Sequence, residues 1–168
     1  MIDPLINEKA ALAVSLLLKN KKKVACAESC TGGLLSAAIT EISGSSSVFD
    51  FGAVTYANTM KQRLLGVSAE TLAVYGAVSE QTARAMAKGI LSYSGADYAL
   101  SITGIAGPQS DGTDKPVGLV YICLASAAGQ TVVRRLDNQF TENIRENNRK
   151  AAVLAALELL IAQFIELG

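Results

Sequence analysis

The 168-residue chain is half apolar and only 18% charged, which excludes a disordered chain and allows a buried core without metal or disulfide staples. Lysine plus arginine equals aspartate plus glutamate at 15 each, so no net basic field favours nucleic acid. Histidine is absent; this removes Ser-His-Asp and Cys-His chemistry and histidine-bearing zinc sites, and leaves lysine, tyrosine, aspartate and glutamate as candidate bases.

Asp3-Pro4 supplies an N-cap and a first-turn proline, predicting a helix to about Leu18 that the basic run Lys19–Lys23 closes. Val24–Ala27 reads as a short buried strand. The Ser29 turn follows, then a helix over about Gly32–Ile42 and a Gly44–Ser47 loop. Val48–Tyr56 is a second strand. Asn58 is placed as the cap of a short helix ended by Gly66, and Ser68 as the cap of another ending before Gly76. Ser79 caps a helix whose Ala83, Met86, Ala87, Ile90 and Leu91 share one face. Tyr98–Thr103 is a third strand and Gly104–Pro116 a glycine- and proline-rich loop. Val117–Ala125 and Thr131–Leu136 are two further strands, before a long helix over Thr141–Leu167. The sequence shows no linker or repeat, so residues 1–168 are read as one domain. Helices alternating with short apolar strands predict an α/β fold, its sheet mixed because the last two strands form a hairpin.

Asp3, Asn7 and Glu8 interrupt the N-terminus, which does not read as a signal peptide, and no apolar run is long enough to span a bilayer. Cys26, Cys30 and Cys123 lack metal-ligand spacing and fit reduced thiols, so the expected location is cytoplasmic.

Three polar clusters fall at predicted strand ends: Glu28-Ser29, Tyr56 and Thr103-Gly104. In an open α/β sheet such ends converge on a ligand rim. Ser29 precedes a glycine-opened helix, where unpaired N–H groups can hold an oxyanion or phosphate; alternatively Ser29 or Thr31 only caps that helix. Lys61 falls in the first turn of its helix, where partial burial would lower its pKa and provide a base, with Tyr56 as helper. Its alternative is a surface lysine. Cys30 is a rival nucleophile or a buried core thiol. The long loop after Thr103 is either a binding loop or a surface excursion. Arg145 and Arg149 share a helix face with Glu142 and Glu146 nearby, as a phosphate clamp or as intrahelical ion pairs.

Ala27-Glu-Ser-Cys-Thr-Gly-Gly33, Gly44-Ser-Ser46, Thr55-Tyr-Ala-Asn58 with Lys61, Leu65-Gly-Val67, Tyr75-Gly-Ala-Val-Ser79, Ala96-Asp-Tyr-Ala99, Thr103-Gly-Ile-Ala-Gly-Pro108 and Lys115-Pro-Val-Gly118 occur in an order that resembles the CinA C-terminal domain family. The resemblance implies a three-layer α/β/α sandwich around a mixed, mostly parallel five-stranded sheet. It also implies a stand-alone, homodimeric nicotinamide-nucleotide amidase that deamidates nicotinamide mononucleotide without metal or cofactor. By that resemblance Ser29 is the nucleophile, Lys61 its base and Tyr56 an assistant. Glu28, Cys30, Thr31, Gly32, Gly33, Thr103 and Gly104 are expected around the substrate, with Arg145 on its phosphate. Nucleic acid and membrane are not expected as partners.

One stretch departs from the family pattern. Where the family commonly reads Gly-Asp-Arg, two residues, then Ile-Arg, this chain has Asn143-Ile144-Arg145, Glu146-Asn147, then Asn148-Arg149. A silent or altered-substrate nucleotide-binding paralogue therefore stays open as an alternative. An accessory protein of DNA uptake or recombination is a further alternative, which the neutral charge disfavours.

Overall fold

The structure, a computed structural model, describes residues 2–165. Helix α1 spans Pro4–Asn20. The Asp3 carboxylate accepts from Leu5 N–H at 3.0 Å, and Lys21 ends the helix in a left-handed conformation. Ile6, Ala10, Ala13, Val14 and Leu17 form its buried stripe, the spacing of an amphipathic helix. Strand β1 (Val24–Glu28) is buried at all five positions. Helix α2 (Leu34–Thr40) is shorter than expected, because Gly32 and Gly33 have φ of 60° and 96° and remain in the preceding turn. Ser45–Ser47 forms a 3-10 turn before β2 (Phe49–Val54).

Helix α3 covers Asn58–Leu65. Its cap is Ala57, not Asn58, so Lys61 is the fourth helical residue and its N–H bonds Ala57 O at 3.2 Å. Helices α4 (Ala69–Tyr75) and α5 (Glu80–Ser94) are capped by Ser68 and Ser79 as expected. Strands β3 (Tyr98–Gly104), β4 (Leu119–Ser126) and β5 (Thr131–Asp137) follow, then helix α6 (Ile144–Ile165). Asn143 has φ of 46°, so the helix starts later than Thr141; the expected end at Leu167 lies outside the described residues.

The sheet order is β2-β1-β3-β4-β5. Strands β2, β1 and β3 run parallel, while β4 is antiparallel to both neighbours. This is the mixed five-stranded sheet anticipated from the sequence. Glu28 pairs with Val54 on one side and Ile102 on the other, so the carboxyl ends of three parallel strands meet at one edge.

Period-two alternation divides the sheet between two helical layers. Val24, Cys26, Leu100, Ile102, Val120, Ile122 and Leu124 pack with the buried residues of α1, α2 and α6. Each fully buried Leu or Ile there contributes roughly 1.5–3 kcal/mol. Ala25, Ala27 and Ala99 face Met86 and Ile90 of α5 on the opposite side, and Ser101 Oγ donates to Ala83 O at 2.6 Å. Small strand residues on this face let α5 sit close to the sheet. In turn, α5 holds α3. A Cβ on Gly89 would lie 1.9 Å from Leu65 O, so only glycine permits that approach, which fixes the helix carrying Lys61. Among the described residues, no helix is long and apolar enough to cross a membrane.

Candidate active site

The turn after β1 is closed by Gly32 N–H to Ser29 O at 3.0 Å, while Ser29 N–H extends the sheet ladder to Ile102 O at 3.0 Å. Cys30 and Thr31 occupy the two central positions. Among the described residues, their N–H groups donate to no acceptor on another residue. Beyond the turn, the start of α2 is sealed by Glu28. Its fully buried carboxylate accepts from the N–H groups of Gly33, Leu35 and Ser36 at 3.1, 3.1 and 2.8 Å, and from Ser36 Oγ at 2.7 Å. A carboxylate at a helix N-terminus satisfies donors that would otherwise be orphaned in the interior.

A cavity of about 500 Å³ opens beside this turn. It is lined by Ser29, Cys30, Tyr56, Lys61, Thr103, Gly104 and Arg145, together with Asn58, Ala77, Val78 and the loop Ile105–Asp111. Seven of the residues expected around a substrate therefore converge on one space. Four do not. Glu28 is occupied as the α2 cap and has no exposed surface. The Thr31 side chain is fully buried and, among the described residues, its hydroxyl has no hydrogen-bond partner. Gly32 and Gly33 lie outside the cavity lining, and their N–H groups are already bonded to Ser29 O and the Glu28 carboxylate.

Lys61 is only 1% exposed. Its Nζ reaches Thr55 O at 2.9 Å, Tyr56 O at 3.1 Å and Ser29 Oγ at 3.2 Å. Burial lowers its pKa from 10.5, opposed only by the nearby Cys30 thiol, because desolvation disfavours the ammonium form. In the neutral amine two N–H bonds go to the two carbonyls, leaving the lone pair for the Ser29 hydroxyl. Cys30 stands next to this pair, but burial pushes its thiol up to about 11, which keeps it protonated at neutral pH.

The Tyr56 side chain goes elsewhere. Tyr56 is 57% exposed and its phenol accepts from Arg145 Nη2 at 3.0 Å, so only its main-chain carbonyl meets Lys61. Arg145 Nη1 donates to Gly107 O at 3.0 Å. Both acceptors are neutral, and among the described residues Arg145 has no carboxylate partner. The intrahelical pairing considered for it is taken by Lys150 instead, which bridges Glu146 at 2.7 Å and Asp3 at 3.3 Å.

Thr103 Oγ1 donates to Ala77 O at 2.7 Å, tying the end of β3 to the approach to α5. The loop after it is ordered by specific contacts. Gly107 has φ of 78°, and a Cβ there would lie 2.3 Å from Val117 Cγ1; the following bond to Pro108 is cis. Lys115 Nζ donates to Tyr75 O and Val78 O, each at 2.6 Å, strapping the loop to the opposite cavity wall. Asn148 is 1% exposed and donates to Ala106 O at 3.0 Å, while Arg149 Nη2 donates to Thr31 O at 2.7 Å.

Asn58 reads from the sequence as a helix cap and as part of a block resembling the family, with no role at a site, and Ala77 and Val78 carry no chemical signal there. The Lys115 strap, Asn148 and the Arg149 contact were likewise missed. Each joins segments far apart in the chain; Arg149 stands out in the sequence beside Arg145, and Lys115 lies in a block that resembles the family, but spacing reports neither contact.

The fold and the serine–lysine site are those of an α/β domain with histidine-free polar chemistry at its strand ends. The CinA C-terminal domain model matches residues 6–164, and the chain belongs to that family. It is 48% identical over 143 residues to the nicotinamide-nucleotide amidohydrolase PncC of Enterobacter agglomerans, covering 85% of each chain. It is 49% identical to a CinA-like protein of Endomicrobium trichonymphae, covering 93% of this chain but 36% of that protein. The chain thus spans about a third of the length of several curated relatives it matches. The crystal structure of the competence/damage inducible protein CihA from Agrobacterium tumefaciens superposes with a TM-score of 0.91 at 43% identity, covering 96% of this chain and 97% of that one.

Proposed function

We propose that the protein is an amidohydrolase that converts nicotinamide mononucleotide to nicotinate mononucleotide and ammonia, acting in the cytoplasm in pyridine-nucleotide salvage. The observation that carries this reading is the buried Lys61 amine at 3.2 Å from Ser29 Oγ, inside a cavity that also holds Arg145. The relative named as a nicotinamide-nucleotide amidohydrolase supports the substrate.

Lys61 Nζ takes the Ser29 hydroxyl proton as Oγ attacks the carboxamide carbon. The unengaged N–H group of Cys30, the turn residue after Ser29 that lines the cavity, receives the developing oxyanion. Lys61 then passes its proton to the leaving nitrogen; the C–N bond breaks, and ammonia departs from an acyl-Ser29 ester. Water loses a proton to Lys61 and attacks the ester, and Ser29 leaves with that proton. The nicotinate carboxylate is the product. Arg145, which has no carboxylate partner among the described residues, holds the phosphate in the same cavity. Tyr56 contributes its main-chain carbonyl to Lys61 and its phenol to Arg145, not a proton relay to Ser29.

Ammonia release from nicotinamide mononucleotide by the purified protein tests the reading. Stoichiometric release is expected. Measurable nucleotide binding with no ammonia would establish instead a silent paralogue, to which the Asn143-Ile144 departure beside Arg145 would then be relevant.

A further inference from the structure

Helix α6 approaches the site with three side chains spaced as neighbours on one face. Arg145 bonds Gly107 O, Asn148 bonds Ala106 O, and Arg149 bonds Thr31 O at 2.7 Å. The first two hold the binding loop. The third reaches the turn that carries Ser29, although Arg149 itself is absent from the cavity lining.

Thr31 O is a sensitive point in that turn. It belongs to the Thr31–Gly32 peptide, whose N–H closes the turn on Ser29 O at 3.0 Å, and it also accepts from Leu34 N–H at 3.2 Å. Holding this carbonyl fixes one peptide plane, and through it the Thr31 backbone next to the two unengaged N–H groups. The long Leu34 bond is a weak restraint; the guanidinium bond is short and charge-assisted. The positive charge also acts on the turn, since Arg149 is among the charges that stabilise the Cys30 thiolate form.

We propose that Arg149 is a positioning residue for catalysis: by gripping the Thr31 carbonyl it sets the turn whose Cys30 N–H meets the oxyanion, without touching the substrate. The inference rests on Ser29 being the nucleophile, as proposed above, but does not depend on which amide is hydrolysed. It predicts that Arg149 acts on the reaction rate and not on substrate affinity, in contrast to Arg145.

The experiment compares wild type, Arg149→Gln and Arg149→Lys in two assays. One is steady-state deamidation of nicotinamide mononucleotide; the other is the rate at which a fluorophosphonate labels Ser29, identified by mass spectrometry. Displacing a reacting group by about 1 Å can cost on the order of 100-fold. The expected result is a roughly 10- to 100-fold fall in kcat and labelling rate for Arg149→Gln. KM stays within about twofold, and Arg149→Lys recovers part of the rate. Unchanged kcat and labelling, or an effect confined to KM, would overturn the proposal. So would a loss that Arg149→Lys does not relieve and that follows a fall in melting temperature, since that describes a merely structural residue. Wild-type protein that labels at Ser29 but releases no ammonia sinks the nucleotide substrate alone, and the labelling comparison still decides the role of Arg149. Wild-type protein that does not label overturns both ideas.

Discussion

Lys61 Nζ and Ser29 Oγ lie 3.2 Å apart although their residues are 32 positions apart in the chain. Ser29 is delivered by the end of β1 and Lys61 by the first turns of α3. With no carboxylate in contact among the described residues and almost no exposed surface, the amine is pressed toward its neutral form, the form a base requires.

Removing either member of the pair is expected to abolish turnover while leaving the fold intact. Ser29→Ala and Lys61→Ala should each lower kcat by on the order of 10⁴-fold. Circular dichroism and steady-state ammonia release measure the two parts separately. Wild-type kcat/KM should rise with pH through the Lys61 ionisation, at a pH below the ordinary 10.5. Lys61→Arg, permanently protonated, should be inactive throughout. An active Ser29→Ala would transfer suspicion to Cys30 or a directly activated water.

The same ionisation has a stability consequence. The folded-state pKa of Lys61 is lowered from 10.5, so between the lowered value and 10.5 the unfolded chain binds a proton that the folded chain lacks. Stability from this group therefore rises with pH across that window. Burial of Cys30, pushed up to about 11 from 9.0, works in the opposite direction above pH 9. Comparison with Lys61→Met, which keeps the thiols, isolates the lysine. The melting temperature of wild type relative to Lys61→Met should increase as pH is raised through the window; a flat difference would contradict a depressed pKa.

Much of the fold was legible because its signals are local. Asp3-Pro4, Ser68 and Ser79 start helices through their own side-chain chemistry, and the strands are short apolar runs between glycine-rich turns. Ser29, Lys61 and Thr103 were legible by the same logic, as polar residues at strand ends or at an unfavourable helix position. The misplaced features are those set by tertiary contact. Glu28 looked like a site residue because it adjoins Ser29, yet strand alternation turns its carboxylate toward the start of α2. Tyr56 looked like a relay for Lys61, but its phenol meets Arg145 from a helix 89 residues away. No spacing rule reports such a contact.

That contact separates affinity from chemistry. Losing a hydrogen bond to a charged group costs about 1.5–3 kcal/mol, or roughly 10- to 150-fold in affinity. Arg145→Ala should raise KM for the mononucleotide within that range and leave kcat nearly unchanged. The corresponding nucleoside, which lacks the phosphate, should not respond to the substitution. Tyr56→Phe frees the guanidinium from the phenol and should produce a smaller KM change of the same kind. A dominant kcat loss in Tyr56→Phe would restore the phenol to the proton-transfer step.

Glu28 should be a stability residue. Glu28→Ala leaves three main-chain donors and the Ser36 hydroxyl at the head of α2 without their acceptor, at a cost of about 3 kcal/mol or more. A large drop in melting temperature is expected, with Glu28→Gln intermediate because the amide retains one acceptor oxygen. Wild-type stability in Glu28→Ala would show that α2 does not rely on this cap.

Asn143 tests whether the departure from the family pattern is tolerated for a backbone reason. Its φ of 46° lies in the left-handed region, which glycine occupies freely, asparagine accepts and β-branched residues resist. Its carbonyl also accepts Asn147 N–H at 2.9 Å in the opening turn of α6, the helix that presents Arg145. Asn143→Gly, the family's common residue, should therefore preserve both stability and KM. Asn143→Val should lose about 1–2 kcal/mol and raise KM, as the strained turn misdirects Arg145. Thermal denaturation and mononucleotide kinetics on the two variants measure this. Equal behaviour of glycine and valine would mean that the backbone at the head of α6 does not govern how Arg145 is presented to the cavity.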